Sequence, residues 1–289
     1  MTTPAPPIST TGSFQGTLHP HQVAQVLNML TSGAPFAGTA LTPYPTNRSA
    51  VAFPTARPDR PAWLGEGEDI PVIGLGDDAD IVAVCKLASI VLLSNEGFSD
   101  ASVNMTAQFG DLLRDSASIE LDRGVLYGTD SPEPRGVVAA APAAAGEDLA
   151  AALTTAIGSI GDAGGIASHL CARPSVLADQ RNVRDDNGQR LYPEGLGAAF
   201  GLTEVGCPEL APADVLVVAR DRAWLVVRND FQVDTSRDWA FQKDALAIRL
   251  RGRFAVAAPV LAKALRKLQI SDGSRQDAAP RTASGTAKK

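Results

Sequence analysis

The chain has 289 residues, 45% of them hydrophobic, and a formal net charge of −6. A chain of this size can bury a substantial core in one or two domains. It holds no run of about 20 apolar residues, which excludes a helical membrane span, and its acidic balance does not mark a nucleic-acid binder.

The start of the chain, Met1 to Gly16, is rich in Thr, Pro and Ser. It lacks a basic start followed by an apolar stretch, so no secretory signal is expected and the chain should act in the cytoplasm of the cell that makes it. Cys85, Cys171 and Cys207 are an odd, sparse set, which argues for reduced thiols. Charge is uneven. From Arg249 onward there are ten Lys or Arg against two acids, a local balance of +8 that leaves −14 for the rest.

Residues 1 to 17 read as a flexible arm. Val23, Val26, Leu27 and Leu30 then follow helical spacing, ended by Gly33 and Pro35. From Pro43 to Gly76 six prolines and four glycines rule out a helix and disfavour a central strand. Yet this stretch carries Val51, Phe53, Trp63, Leu64, Ile70, Val72 and Ile73. A long structureless loop is uncommon in a compact domain, so an extended two-stranded arm is expected. An isolated hairpin is marginal in water, so such an arm needs another subunit to lie on.

Ile81 to Ser94 reads as one strand. Ser99 or Asp100 can cap a helix running from Asp100 to about Tyr127, in which Val103, Ala107, Leu113, Ala117, Leu121 and Leu126 return to a similar face. Gly128 stops it. Asp148 to Ile160 and Arg173 to Gln180 read as helices. Arg184 to Gly188 is a charged turn, and Pro193 to Gly201 a Gly-rich loop. Val215 to Ala219 and Ala223 to Val227 are short strands. In Asp244 to Arg253, Leu246, Ile248 and Leu250 alternate with Ala245, Ala247, Arg249 and Arg251, a strand with one buried face. Phe254 to Leu268 adds a strand and a Leu-bearing helical turn. Ile270 to Lys289 reads as a disordered tail.

Three segments, in order, resemble the major capsid proteins of tailed bacteriophages, the Hong Kong 97 type. The first is Pro61-Ala62-Trp63-Leu64-Gly65-Glu66-Gly67-Glu68-Asp69-Ile70-Pro71, similar to that family's extended loop. The second runs from Lys86-Leu87-Ala88-Ser89-Ile90-Val91-Leu92-Leu93-Ser94-Asn95-Glu96 into a long helix ending Leu121-Asp122-Arg123-Gly124-Val125-Leu126-Tyr127-Gly128, then Pro134-Arg135-Gly136. The third is Arg184-Asp185-Asp186-Asn187-Gly188-Gln189-Arg190-Leu191, then Val215 to Val227, then Asp244 to Phe254. The resemblance covers about residues 36 to 268.

It implies an α+β fold with an N-terminal arm (1–35), an extended β-hairpin loop (48–79) and a peripheral domain (36–136). A spine helix (100–127) would belong to that domain. An axial domain (137–222) would follow, with a return to the peripheral domain (223–252), the end of the axial domain (253–270) and a flexible tail (271–289). It further implies a non-enzymatic subunit of the virion's icosahedral shell, assembled in the host cytoplasm as hexamers and pentamers around double-stranded DNA. Partners would be other copies of itself, the portal protein and separate scaffolding or decoration proteins, with no membrane and no cofactor.

Arg57, Arg60, Trp63, Glu66, Glu68 and Ile70 would be inter-subunit contacts of the loop. Lys263, Arg266, Lys267, Arg275, Arg281, Lys288 and Lys289 form a candidate DNA-facing basic tail, although a solvated tail explains them equally. Two departures stand out. The fold is expected to begin a short arm after Met1, so the cleaved scaffolding segment many relatives carry is not expected, and either a separate scaffold protein exists or none is needed. No lysine lies between Arg48 and Asp80, so the lysine–asparagine cross-link of some relatives is not expected, an arginine being a poor nucleophile.

Other readings are weaker. Gly65/Gly67 and Gly195/Gly197 lack the frame of a phosphate loop. His169 and Cys171, or His19 and His21, cannot complete a four-ligand zinc set. Asp185, Asp186 and Asn187 lack the distal Glu of a calcium loop. Glu66, Glu68 and Asp69 read as an exposed patch facing basic residues of a neighbour rather than a catalytic cluster, and no Gly-x-Ser-x-Gly elbow occurs. An encapsulin-type compartment packaging a cargo protein is the alternative. A soluble α+β enzyme has no residue constellation behind it.

Overall fold

The computed structural model describes residues 33–55, 62–67, 69–70, 78–94, 105–236, 238, 242 and 244–270. A single π-helical turn, Phe36–Ala40, leads into β1 (Thr42–Pro45) and β2 (Ala50–Pro54). Next come β3 (Ala79–Ala83), β4 (Cys85–Ser94), the long helix α1 (Met105–Tyr127) and the short α2 (Val137–Ala140). A second group follows: β5 (Ala143–Gly146), α3 (Leu149–Asp162), β6 (His169–Ala172), α4 (Pro174–Arg181), α5 (Leu196–Ala199), β7 (Thr203–Gly206) and β8 (Val215–Val218). The chain closes with β9 (Trp224–Ser236), β10 (Ala245–Ala257), α6 (Leu261–Ala264) and β11 (Leu265–Ile270).

Two sheets carry the architecture. The first has the order β1-β9-β10-β4 and the second β5-β11-β8-β6-β7, while β2 and β3 form a separate two-stranded ribbon. In the first sheet β10 is antiparallel to both neighbours and pairs with β4 in unbroken register from Ala245↔Ser94 to Phe254↔Cys85. Helix α1 lies across one face, with Gly110 close to the Val233 side chain of β9. In the second sheet α3 supplies the cover. Its buried residues Leu149, Ala152, Leu153, Ala156 and Ile160 fall at helical spacing, and Asp148, which the sequence reading placed inside the helix, precedes it as the cap by accepting the Ala151 N–H at 2.6 Å, a role aspartate favours.

One core cluster joins the two sheets. It holds Phe36, Leu41, Leu121, Val125 and Leu126 together with Cys171, Leu216, Leu225, Val227, Phe254 and Leu265. A second cluster lies between α3 and the second sheet. The end of α1 is fixed sterically. The backbone of Pro134 crosses directly over Gly128, where any Cβ would collide with the Pro134 and Gly124 carbonyl oxygens.

Several sequence expectations are corrected. Ile81 to Ser94 is not one strand: the chain leaves the β2–β3 ribbon at Val84 and enters the first sheet at Cys85. The strand starting near Ala223 runs on to Ser236. Its polar half, with Asn229, Asp230 and Asp234, has low strand propensity, but pairing with β10 overrides it. In β10 the alternation holds only in the middle, because Ala245 and Ala247 are buried as well. The helical turn is confined to Leu261–Ala264, and Leu265–Ile270 is a strand. Because β10 continues in the first sheet to Ala257, the expected boundary at 252/253 falls inside a strand. The helix expected over 23–30 and the start of the long helix, with Val103, lie outside the described residues.

Candidate assembly surface

The β2–β3 ribbon pairs Ala50↔Ala83 through Pro54↔Ala79. Beyond it Trp63 is fully exposed and Ile70 is 83% exposed. Such apolar exposure costs free energy unless another surface covers it. Glu66 and Asp69 are exposed on the same short stretch. Arg57, Arg60 and Glu68 lie outside the described residues.

The predicted basic tail divides. Arg275, Arg281, Lys288 and Lys289 lie outside the described residues. The structure corrects the placement of Arg266, which is no tail residue. It sits buried in β11 and donates to the Ser159 hydroxyl at 2.8 Å and the Leu265 carbonyl at 3.0 Å. Lys267 on the same strand pairs with Asp214 at 2.6 Å. Lys263 lies in α6. Arg266 and Lys267 belong to the folded sheet because Leu265 and Leu268 anchor their strand in the core.

Sequence reasoning missed two polar groups beneath the surface. Asp122 is buried in α1 and accepts the Phe36 N–H at 2.9 Å and the Ala37 N–H at 2.8 Å. It thereby satisfies donors at the start of the π-helical turn and fixes the entering chain to α1. Burial pushes its carboxyl up to about 7, against the pull of the two N–H donors. An available signal was its position among Ala117, Leu121 and Val125, inside the apolar face. Tyr127, at the other end of that helix, donates to Asp214 Oδ2 at 2.7 Å and accepts the Ala211 N–H at 2.9 Å. With Lys267 this makes a polar tie from α1 to the second sheet. Burial, helped by Asp214, raises the Tyr127 phenol to about 12, so it stays a donor.

The weaker site candidates have structural roles. Glu204 fills the space at Gly195 and Gly197, accepts the Gly197 N–H at 2.9 Å and pairs with Arg181 at 2.8 Å. A carboxylate therefore stands where a bound phosphate would need to be. Asp185 accepts the Asn187 and Gln189 N–H groups and closes a turn at Gly188. His169 faces the Ser168 hydroxyl at 2.8 Å, and burial beside Arg220 lowers its pKa. Cys171 and Cys207 are buried side by side, and burial raises the Cys171 thiol. No cluster of three metal-ligating side chains occurs among the described residues, and no described helix is long and apolar enough to cross a membrane.

A family model, described as the phage capsid family, matches residues 17–270. The chain belongs to the phage capsid family. Its fold agrees with solved capsid-family structures. A chain from Microbacterium phage Oxtober96 superposes with a TM-score of 0.69 at 18% identity, covering 90% of this chain and 95% of that one. A chain from Mycobacterium phage Adephagia gives 0.68 at 19% identity over 82% and 90%. The capsid of a native GTA particle, computed with C5 symmetry, gives 0.64 at 14% over 92% and 95%. No curated protein matches the chain. The protein is thus a major capsid protein, a structural component of a phage shell that associates with its own kind. The encapsulin alternative is not favoured.

Proposed function

We propose that this capsid protein builds the closed head of a tailed phage around double-stranded DNA, as hexamers and pentamers assembled in the host cytoplasm, and that it performs no catalysis. The observation that carries this reading is the loop beyond the β2–β3 ribbon, whose Trp63 and Ile70 stand in solvent. In the assembled shell this loop lies over a neighbouring subunit. Residues 36–136 and the β9–β10 pair act as the peripheral domain, with α1 as its spine. The second sheet and α3 act as the axial domain around which five or six copies gather. Individual contacts are small, but each copy makes many, so assembly is cooperative through multivalency. A portal protein at one vertex and separate scaffolding or decoration proteins complete the particle. The basic residues Arg275, Arg281, Lys288 and Lys289 contact DNA phosphates from the C-terminal segment.

Electron microscopy of the chain expressed alone, with sedimentation beside it, tests the reading. Uniform closed shells or ring-shaped capsomers are expected, and nucleic acid rather than protein cargo inside any shell. A chain that stays a monomer at every concentration, even beside a candidate scaffold, overturns it.

A further inference from the structure

The first charged side chain of the sequence is Arg48: residues 1–47 hold no Asp, Glu, Lys or Arg. Within them Val23, Val26, Leu27 and Leu30 recur at helical spacing, on one face. A helix this short is marginal in water by itself and takes its stability from burying such a face. With no charged groups beside it, the stripe calls for a covering surface, and the place where the chain enters the described fold says which one.

Gly33 has helical backbone geometry and lies directly on α1. A Cβ there would stand 2.7 Å from the Ser118 Cβ and 3.7 Å from the Asp115 carbonyl oxygen. One turn further along α1, Asp122 holds the Phe36 and Ala37 N–H groups. The entering chain therefore runs in the same direction as α1. On the first half of that helix Leu112, Asp115 and Ile119 share one face by their spacing. Leu112 is 61% and Ile119 49% exposed, an apolar pair with nothing in the described fold over it. The opposite face, with Gly110 and Ala117, is turned to the first sheet.

We propose that residues 23–30 form a helix alongside α1 of the same copy, with Val26, Leu27 and Leu30 covering Leu112 and Ile119. Both helices advance about 1.5 Å per residue. Counted back from Gly33 at Ser118, Leu30 comes level with Asp115, between Ile119 and Leu112, and Leu27 comes level with Leu112. The missing side chain at Gly33 permits the close approach that starts this packing. A second copy could bring the same stripe, but Gly33 already rests on its own helix, so the segment reaches Leu112 without leaving the subunit. The arm available to other copies then begins before Val23 rather than at Gly33. The proposal makes no use of the capsid reading.

Limited digestion of the full-length chain with thermolysin, read by intact mass, tests this. The protease cuts beside large apolar residues, whereas trypsin has no site before Arg48. In the parent, cuts between Val23 and Leu30 are expected to be about tenfold slower, or more, than in the chain unfolded in urea. Leu112→Asp with Ile119→Asp puts two carboxylates under the stripe and is expected to speed those cuts about tenfold. Thermal melting checks that the rest of the fold survives. If this variant melts early, Leu27→Asp, on the segment itself, carries the comparison in its place. Parent cuts as fast as in urea overturn the docking, and so do equal rates in parent and variant. Protection found in assembled particles but not in the unassembled subunit gives the stripe to a neighbouring copy, which overturns the proposal and leaves the capsid reading standing.

Discussion

Asp122 joins the chain entering the fold to the long helix by two backbone hydrogen bonds. Asparagine at that position keeps one accepting oxygen and turns an amide NH₂ toward a backbone N–H. Asp122→Asn is therefore expected to cost about 1–3 kcal/mol in urea or thermal unfolding. The pH dependence has a definite sign. The folded carboxyl titrates near 7, above the ordinary 3.8, so the folded state holds a proton that the unfolded state has lost. Its contribution to stability is fully present below the unfolded value and is lost as pH rises through about 7. The gap in stability between parent and Asp122→Asn should shrink as pH is raised across that window. A gap that is flat or widens contradicts the assignment. Tyr127→Phe removes the donor to Asp214 and the acceptor for the Ala211 N–H. It should lower stability by about 1–2 kcal/mol, measured by denaturant midpoint.

At the scale of elements, periodicity identified what is locally determined. Helix α3 was legible because its apolar stripe and its cap are both written in consecutive residues. Asp148→Ala is expected to cost about 1 kcal/mol through the lost cap. Leu153→Ala should cost about 2–5 kcal/mol through a cavity under the same helix, and a smaller loss than that of Asp148→Ala in thermal melting would argue against this packing. The strands were harder. Residues 228–236 carry Asn, Asp, Gln, Thr and Ser, and only the thirteen-residue partner β10 makes them a strand. The break at Val84 was hidden because residues on both sides of it suit a strand. What divides them is a change of partner, from β2 to β10, which no local signal records. Likewise Arg266 reads as one more cation in a basic stretch, whereas Leu265 and Leu268 pull it into the second sheet.

At the scale of the whole molecule, the exposed Trp63 and Ile70 are the side chains on which the proposed assembly can be tested. Trp63→Ala should leave the melting temperature of the isolated subunit unchanged, because Trp63 makes no buried contact within it. It should weaken assembled shells, seen as dissociation at lower temperature or denaturant. A variant whose shells survive like the parent's would remove Trp63 from the joint. The sequence by itself determined the family, through ordered local motifs around Trp63, the long helix and the alternating strand that follows Asp244. It also carried the expectation that the Pro- and Gly-rich arm lies on an outside surface, because its prolines and apolar residues are readable without a partner. Only the tertiary structure decided which polar residues are buried, where one strand ends and the next begins, and that Lys86, Arg249, Arg251 and Arg253 share one face. Those facts depend on register between segments far apart in the chain, and one residue of slip would turn every side chain to the other side.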